Sequence, residues 1–174
     1  GYYTSSTYYG NAGDILTVAF AAQYEQDGAG TQGQPADFTG YSVDLLGETT
    51  LGNGAVATVE AQYKRFELDG NVSGTGTLGM FEGDAYTGTA LYLMPGKVGI
   101  GQLQPYVRYT NNDGVQTPDS SEYEAGLNYI IDGHNARVSL MYQYGDIATK
   151  GRTYTSTNSG DDVHAIKLGF QLQI

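Results

Sequence analysis

Apolar and polar residues alternate with period two along most of this chain, in segments separated by clusters of turn residues. The alternation occupies residues 15–26 (ILTVAFAAQYEQ), 37–51, 55–68, 84–95, 102–111, 121–131, 135–146 and 163–174. It predicts eight strands of about ten to fifteen residues and no helix. The connections alternate in length. Those at 52–54, 96–101 and 132–134 are tight, and Asn-Gly or Asp-Gly supplies the positive backbone angles that short hairpins need. Those at 27–36, 69–83, 112–120 and 147–162 are longer and polar. The opening stretch GYYTSSTYYG (1–10) reads as the end of a further strand followed by a turn at 10–14. A ninth strand does not fit up-and-down closure at eight, and it points to a larger barrel of which this chain is a piece.

Successive side chains on a strand point to opposite faces, so each segment sorts into two sets. Leu16, Val18, Phe20, Ala22 and Tyr24 oppose Thr17, Ala19, Ala21, Gln23 and Glu25. Ala57, Val59, Ala61 and Tyr63 oppose Thr58, Glu60, Gln62 and Lys64. Leu103, Pro105, Val107 and Tyr109 oppose Gln104, Tyr106, Arg108 and Thr110. Residues 121–131, 135–146 and 163–174 divide in the same way, whereas 84–95 give no clean division. Tyr24, Tyr41, Tyr63, Tyr109, Tyr123 and Tyr144 all fall on the apolar set at the long-loop ends of their strands. Tyrosines at one height are expected at a membrane–water boundary. The opposing set is mostly Gly, Ala, Ser, Thr and Gln, poorer in Lys and Glu than a soluble surface. Both features favour an apolar face turned outward. The expected fold is therefore an all-β, antiparallel, up-and-down transmembrane β-barrel, with eight or nine strands in this chain.

Composition narrows the function. The chain has 26 Gly and 16 Tyr, which suits strands rather than helices. It lacks Cys, which excludes disulfides and thiolate metal sites. Nineteen acids against eight bases give a formal charge of −11, which argues against nucleic acid as a partner. No run is long and apolar enough for a membrane-spanning helix, but a barrel needs none. No initiating Met or signal peptide is present, so a processed chain or a piece of a longer one is expected.

The strings LQPYVRYTN (103–111) and YEAGLNYIIDGHNARVSLMYQYGD (123–146) resemble the C-terminal hairpins of the phosphate-selective porin O and P family of Gram-negative bacteria. GDILTVAFAAQYEQDG (13–28) and YSVDLLGETTLGNGAVATVEAQYKRFELDG (41–70) fit the same pattern, so the resemblance covers nearly the whole chain. It implies a 16-stranded outer-membrane barrel, commonly trimeric, that conducts small anions or other small solutes. Residues 1–174 would then be a single barrel domain or the C-terminal half of one. Two features depart from the family: the last residue is Ile174 rather than Phe, and the strongly acidic balance fits a phosphate preference poorly.

Candidate chemistry is concentrated on the polar set. Lys64, Arg108, Arg137 and Lys167 would attract anions, while Asp44, Glu48, Glu60 and Glu124 would oppose them, as pore-lining charges set selectivity through their local field. Lys64 and Arg108 are the residues expected to bias passage toward anions. Were the chain to close alone at eight strands, these groups would instead form a buried network. The two histidines, His134 and His164, carry no catalytic constellation. Ser159, Asp161 and Asp162 beside His164 are ordinary loop composition. No cofactor, metal site or enzymatic activity is expected. The acidic long loops (Asp27, Asp69, Glu82, Asp113, Asp119, Asp146, Asp161, Asp162) read as a solvated crown, with divalent-cation bridges to lipopolysaccharide as the less favoured reading. The expected partners are outer-membrane lipid, lipopolysaccharide, further copies of the chain and small solutes or ions. The function expected is a porin-type channel. The alternatives are a closed eight-stranded anchoring barrel and a soluble ligand-binding barrel.

Overall fold

The computed structural model describes residues 7–31, 33–69, 82–115, 119–146 and 163–173. They form eight strands: β1 (Ile15–Thr31), β2 (Gln34–Thr50), β3 (Val56–Asp69), β4 (Gly83–Leu93), β5 (Gln102–Gly114), β6 (Ser120–Asp132), β7 (Ala136–Gly145) and β8 (Val163–Leu172). Each pairs antiparallel with its neighbour in sequence, giving one sheet in the order β1 to β8. No ladder joins β8 back to β1 among the described residues. The closure that an independent eight-stranded barrel needs is thus not made.

The tight turns form where Gly and Asn place them. At 51–55 the Leu51 amide donates to the Ala55 carbonyl (2.8 Å), the Gly54 amide donates to the Leu51 carbonyl (2.8 Å), and Gly54 takes a φ of +81°. Two expectations need correction. The segment 27–36 is not a loop, because β1 and β2 run through it as a hairpin with pairs Ala29–Ala36, Gly30–Pro35 and Thr31–Gln34. Its Gly and Asp residues serve a bulge between Glu25 and Ala29. There Asp27 has a φ of +54° and its amide donates to Asp37 Oδ1 at 2.9 Å. The other correction concerns the expected strand at 1–9. Residues 7–9 are not strand and lead into the turn expected at 10–14, and residues 1–6 lie outside the described residues. The loops expected at 69–83 and 147–162 lie mostly outside them as well.

Residues directly opposite on paired strands share a face, so the register extends the two sets across all eight strands. The polar set is the buried one: Thr58 and Gln104 are each 1% exposed, and Glu124, Asn128, Ser139 and Gln143 are buried too. Among the described residues, 7–10 reach this face through Glu48 and Tyr9, and neighbouring side chains of the same face supply further cover. The apolar set is exposed: Val59 50%, Val107 58% and Leu140 51%. Leaving one such side chain in water forgoes about 1.5–3 kcal/mol. A soluble barrel would reverse this arrangement. At the two edges the exposure is greatest, with Leu16 at 77% and Ile166 at 78%.

Candidate functional site: the inner polar face

The register brings all eight singled-out charged residues to the inner face. Arg108 lies opposite Thr89 of β4 and Glu124 of β6. Its Nε donates to Thr89 Oγ1 at 3.0 Å, and its Nη1 stands 3.6 Å from Glu124 Oε1. Glu124 also accepts from Gln143 Nε2, which donates to Glu122 Oε1 at 2.7 Å. A lateral chain of polar groups thus runs from β4 to β7. A second chain lies nearer the tight turns: Ser139 Oγ donates to Asn128 Oδ1 (2.7 Å) and Asn128 Nδ2 donates to Gln104 Oε1 (3.1 Å). Gln62 donates to Asp44 on the other side of the face. Asp44, Glu60, Gln62, Thr87, Thr89, Arg108 and Thr110 line an inner recess of about 470 Å³.

The eight residues do not act as one cluster. Arg137 Nη2 donates to Gln171 Oε1 at 2.9 Å near the tight-turn end. Lys64 and Lys167 make no hydrogen bond or ion pair among the described residues. Glu48 is the most enclosed of the set, 2% exposed. Its carboxylate accepts from Thr7 Oγ1 (2.8 Å), the Tyr8 amide (3.1 Å), the Gly10 amide (2.8 Å) and Thr58 Oγ1 (2.9 Å). It therefore ties down residues 7–10 and has little left to offer a solute. Tyr9 of this segment packs on Val56, Leu93 and Ile130, and burial holds its phenol above the ordinary tyrosine pKa. Glu122, which strand parity already places on the polar side, belongs with the set although it was not counted among the pore-lining charges. It lies opposite Thr110 and Gly145.

On the outer face the tyrosines form a stepped row. Tyr109, Tyr123, Tyr144 and His164 are directly opposite one another on β5 to β8. Tyr109 and Tyr123 have ring centroids 4.8 Å apart, and Tyr144 and His164 4.9 Å. Tyr63 pairs with Tyr86, and Tyr86 meets Tyr109 at 6.0 Å. Tyr41 meets Tyr63 at 6.2 Å. Tyr24 lies one step further from the tight turns, with its hydroxyl donating to Asp37 Oδ2 at 2.7 Å. The row shifts by two residues between some strands and not others, which is how side chains on tilted strands stay at one height. Tyr86 and His164 complete it and were missed from sequence. His164 Nδ1 lies 2.5 Å from the Tyr142 hydroxyl, and His134 sits 5.0 Å from the Tyr9 ring. Ser159, Asp161 and Asp162 lie outside the described residues.

A single sheet with an apolar outer face, a hydrogen-bonded polar inner face and an aromatic row toward its long-loop end defines the wall of a transmembrane β-barrel. Consistent with this, the family model for phosphate-selective porin O and P matches residues 45–174, and the chain belongs to that family. It is an outer-membrane porin of Gram-negative bacteria, from a family of channels through which small solutes pass. Comparison with curated proteins and with solved structures gives no match.

Proposed function

We propose that this chain supplies half the wall of a 16-stranded barrel whose water-filled lumen passes small hydrophilic solutes by diffusion. The observation that carries this reading is the inversion of burial between the two faces. Backbone along β1 and β8 that has no ladder partner among the described residues supports it, because an open sheet edge is not tolerated in lipid and further strands would cover both. The family resemblance supports assembly as a trimer. Lipopolysaccharide would meet the charged rim beyond the tyrosine row, where Arg65 Nη1 pairs with Asp84 Oδ2 at 2.8 Å.

The narrower reading, passage of anions such as phosphate, draws on the inner bases. Lys64 and Lys167 are the better candidates to attract them, since each is free of protein partners among the described residues. Arg108 shares its charge with Glu124, so its pull on a passing anion is weaker than the sequence alone suggests. The test is single-channel recording of the full-length porin in a planar bilayer under a salt gradient. Steady open conductance with a reversal potential on the anion side supports the reading. An inserted but silent barrel sinks it, and a cation-side potential removes the anion preference alone.

A further inference from the structure

The inner face carries a buried apolar cluster at each end: Ala29, Ala36 and Phe38 toward the long loops, and Val56 of β3, Leu93 of β4 and Ile130 of β6 toward the tight turns. An apolar patch facing water would stay uncovered at a cost, and here the chain covers it. The cover is Tyr9, which packs against the tight-turn cluster and whose ring centroid lies 5.0 Å from that of His134 in the β6–β7 turn. Its segment is held by the Glu48 carboxylate, which accepts from Thr7 Oγ1 and from the amides of Tyr8 and Gly10. Gly10, with a φ of +78°, sits close against β2 and β3: a Cβ there would meet Val56 Cγ2 at 2.7 Å. Glycine follows this path without strain, whereas a side chain there would have to displace Val56.

We propose that residues 7–13, tied by Glu48 and seated by Tyr9, narrow the tight-turn mouth of the passage and set the size of solute it admits. The proposal rests on the reading of the inner face as the wall of a water-filled lumen. Glu48 is here a positioning residue and Tyr9 the residue that occupies space. Neither carries selectivity by charge. The segment therefore limits size, while the free lysines further along the face act on ion sign.

The experiment uses the full-length porin in planar bilayers, with polyethylene glycols of graded size as neutral probes. Tyr9→Ala and Glu48→Ala should each raise single-channel conductance, on the order of twofold, and admit larger polymers, with reversal potential little changed. Labelling by a water-soluble maleimide gives a second readout, because the sequence has no cysteine to interfere. A cysteine placed at Val56, beneath Tyr9, should react about tenfold more slowly than one at the half-buried Lys64, which residues 7–13 do not reach. Tyr9→Ala should abolish that difference. Unchanged conductance and polymer cutoff in an inserted Tyr9→Ala channel would overturn the proposal. So would equal labelling at the two sites in the parent protein, a result that stands even if Tyr9→Ala fails to fold. A parent channel with no conductance would instead sink the lumen reading on which the proposal rests.

Discussion

Arg108 and Glu124 face each other across β5 and β6, with 3.6 Å between Nη1 and Oε1. The pair is unequal: the Glu124 side chain is 4% exposed and the Arg108 side chain 43%. The acid is therefore held in the wall, and the guanidinium leans out over the Tyr106 ring, 5.9 Å from its centroid. Removing either partner has different consequences. Arg108→Gln strips a buried carboxylate of its cation and should cost about 1–3 kcal/mol of stability. Glu124→Gln should cost less and free the Arg108 charge, moving the reversal potential toward anions. Denaturant titration of the refolded barrel together with bilayer recording checks both.

The free lysines should matter more to selectivity than Arg108 does. Lys64→Gln and Lys167→Gln are each expected to shift reversal potential toward cations by more than Arg108→Gln. An equal or larger shift for Arg108→Gln would return the leading role to that residue.

Gly126 makes room for Tyr106. A Cβ at this position would stand 2.3 Å from Tyr106 Cε1, so the ring lies directly on the glycine. Gly126→Val should push the ring off the wall and cost about 1–3 kcal/mol through overpacking. Heat-modified migration on gels gives a simple measure of the loss. Tyr106→Ala in the same background should recover part of it.

Leu140 and Met141 are neighbours on β7 that face opposite ways. Leu140 lies among the exposed apolar residues, and Met141 lies opposite Gly126 and Lys167 on the inner face. An arginine in lipid near the midplane costs about 2–4 kcal/mol, whereas one facing water does not. Leu140→Arg should therefore impair refolding into lipid vesicles far more than Met141→Arg. Equal effects would mean that the two faces meet similar surroundings.

Most of the fold was legible because alternation is a local property. Eight strands appear within a few residues of their expected limits, and the parity of Leu103 to Thr110 alone separates the two faces of β5. The inner charges were legible for the same reason. Partnership was not: Arg108 and Glu124 are sixteen residues apart, and only register brings them together while leaving Lys64 alone. Residues 84–95 resisted assignment because Ala85, Gly88 and Ala90 weaken the contrast between faces, which hid Tyr86 from the aromatic row. The hairpin at 27–36 was misread because Asp27, Gly28 and Gly30 look like a loop, when the first two form a bulge and Gly30 pairs with Pro35. The turn at 10–14 was legible, but residues 7–9 were read as the end of a strand because the pull of Glu48, some forty residues on, leaves no trace in the local pattern.

The account stands or falls on the polar face meeting water while the apolar face meets lipid. Single cysteines at consecutive positions from Leu103 to Arg108, introduced into the full-length porin in outer membranes, test this directly with a membrane-impermeant maleimide. Labelling should alternate, with Arg108 the most reactive, Gln104 and Tyr106 reacting more slowly under neighbouring side chains, and Leu103, Pro105 and Val107 protected. Uniform labelling, or alternation in the opposite phase, would contradict the account.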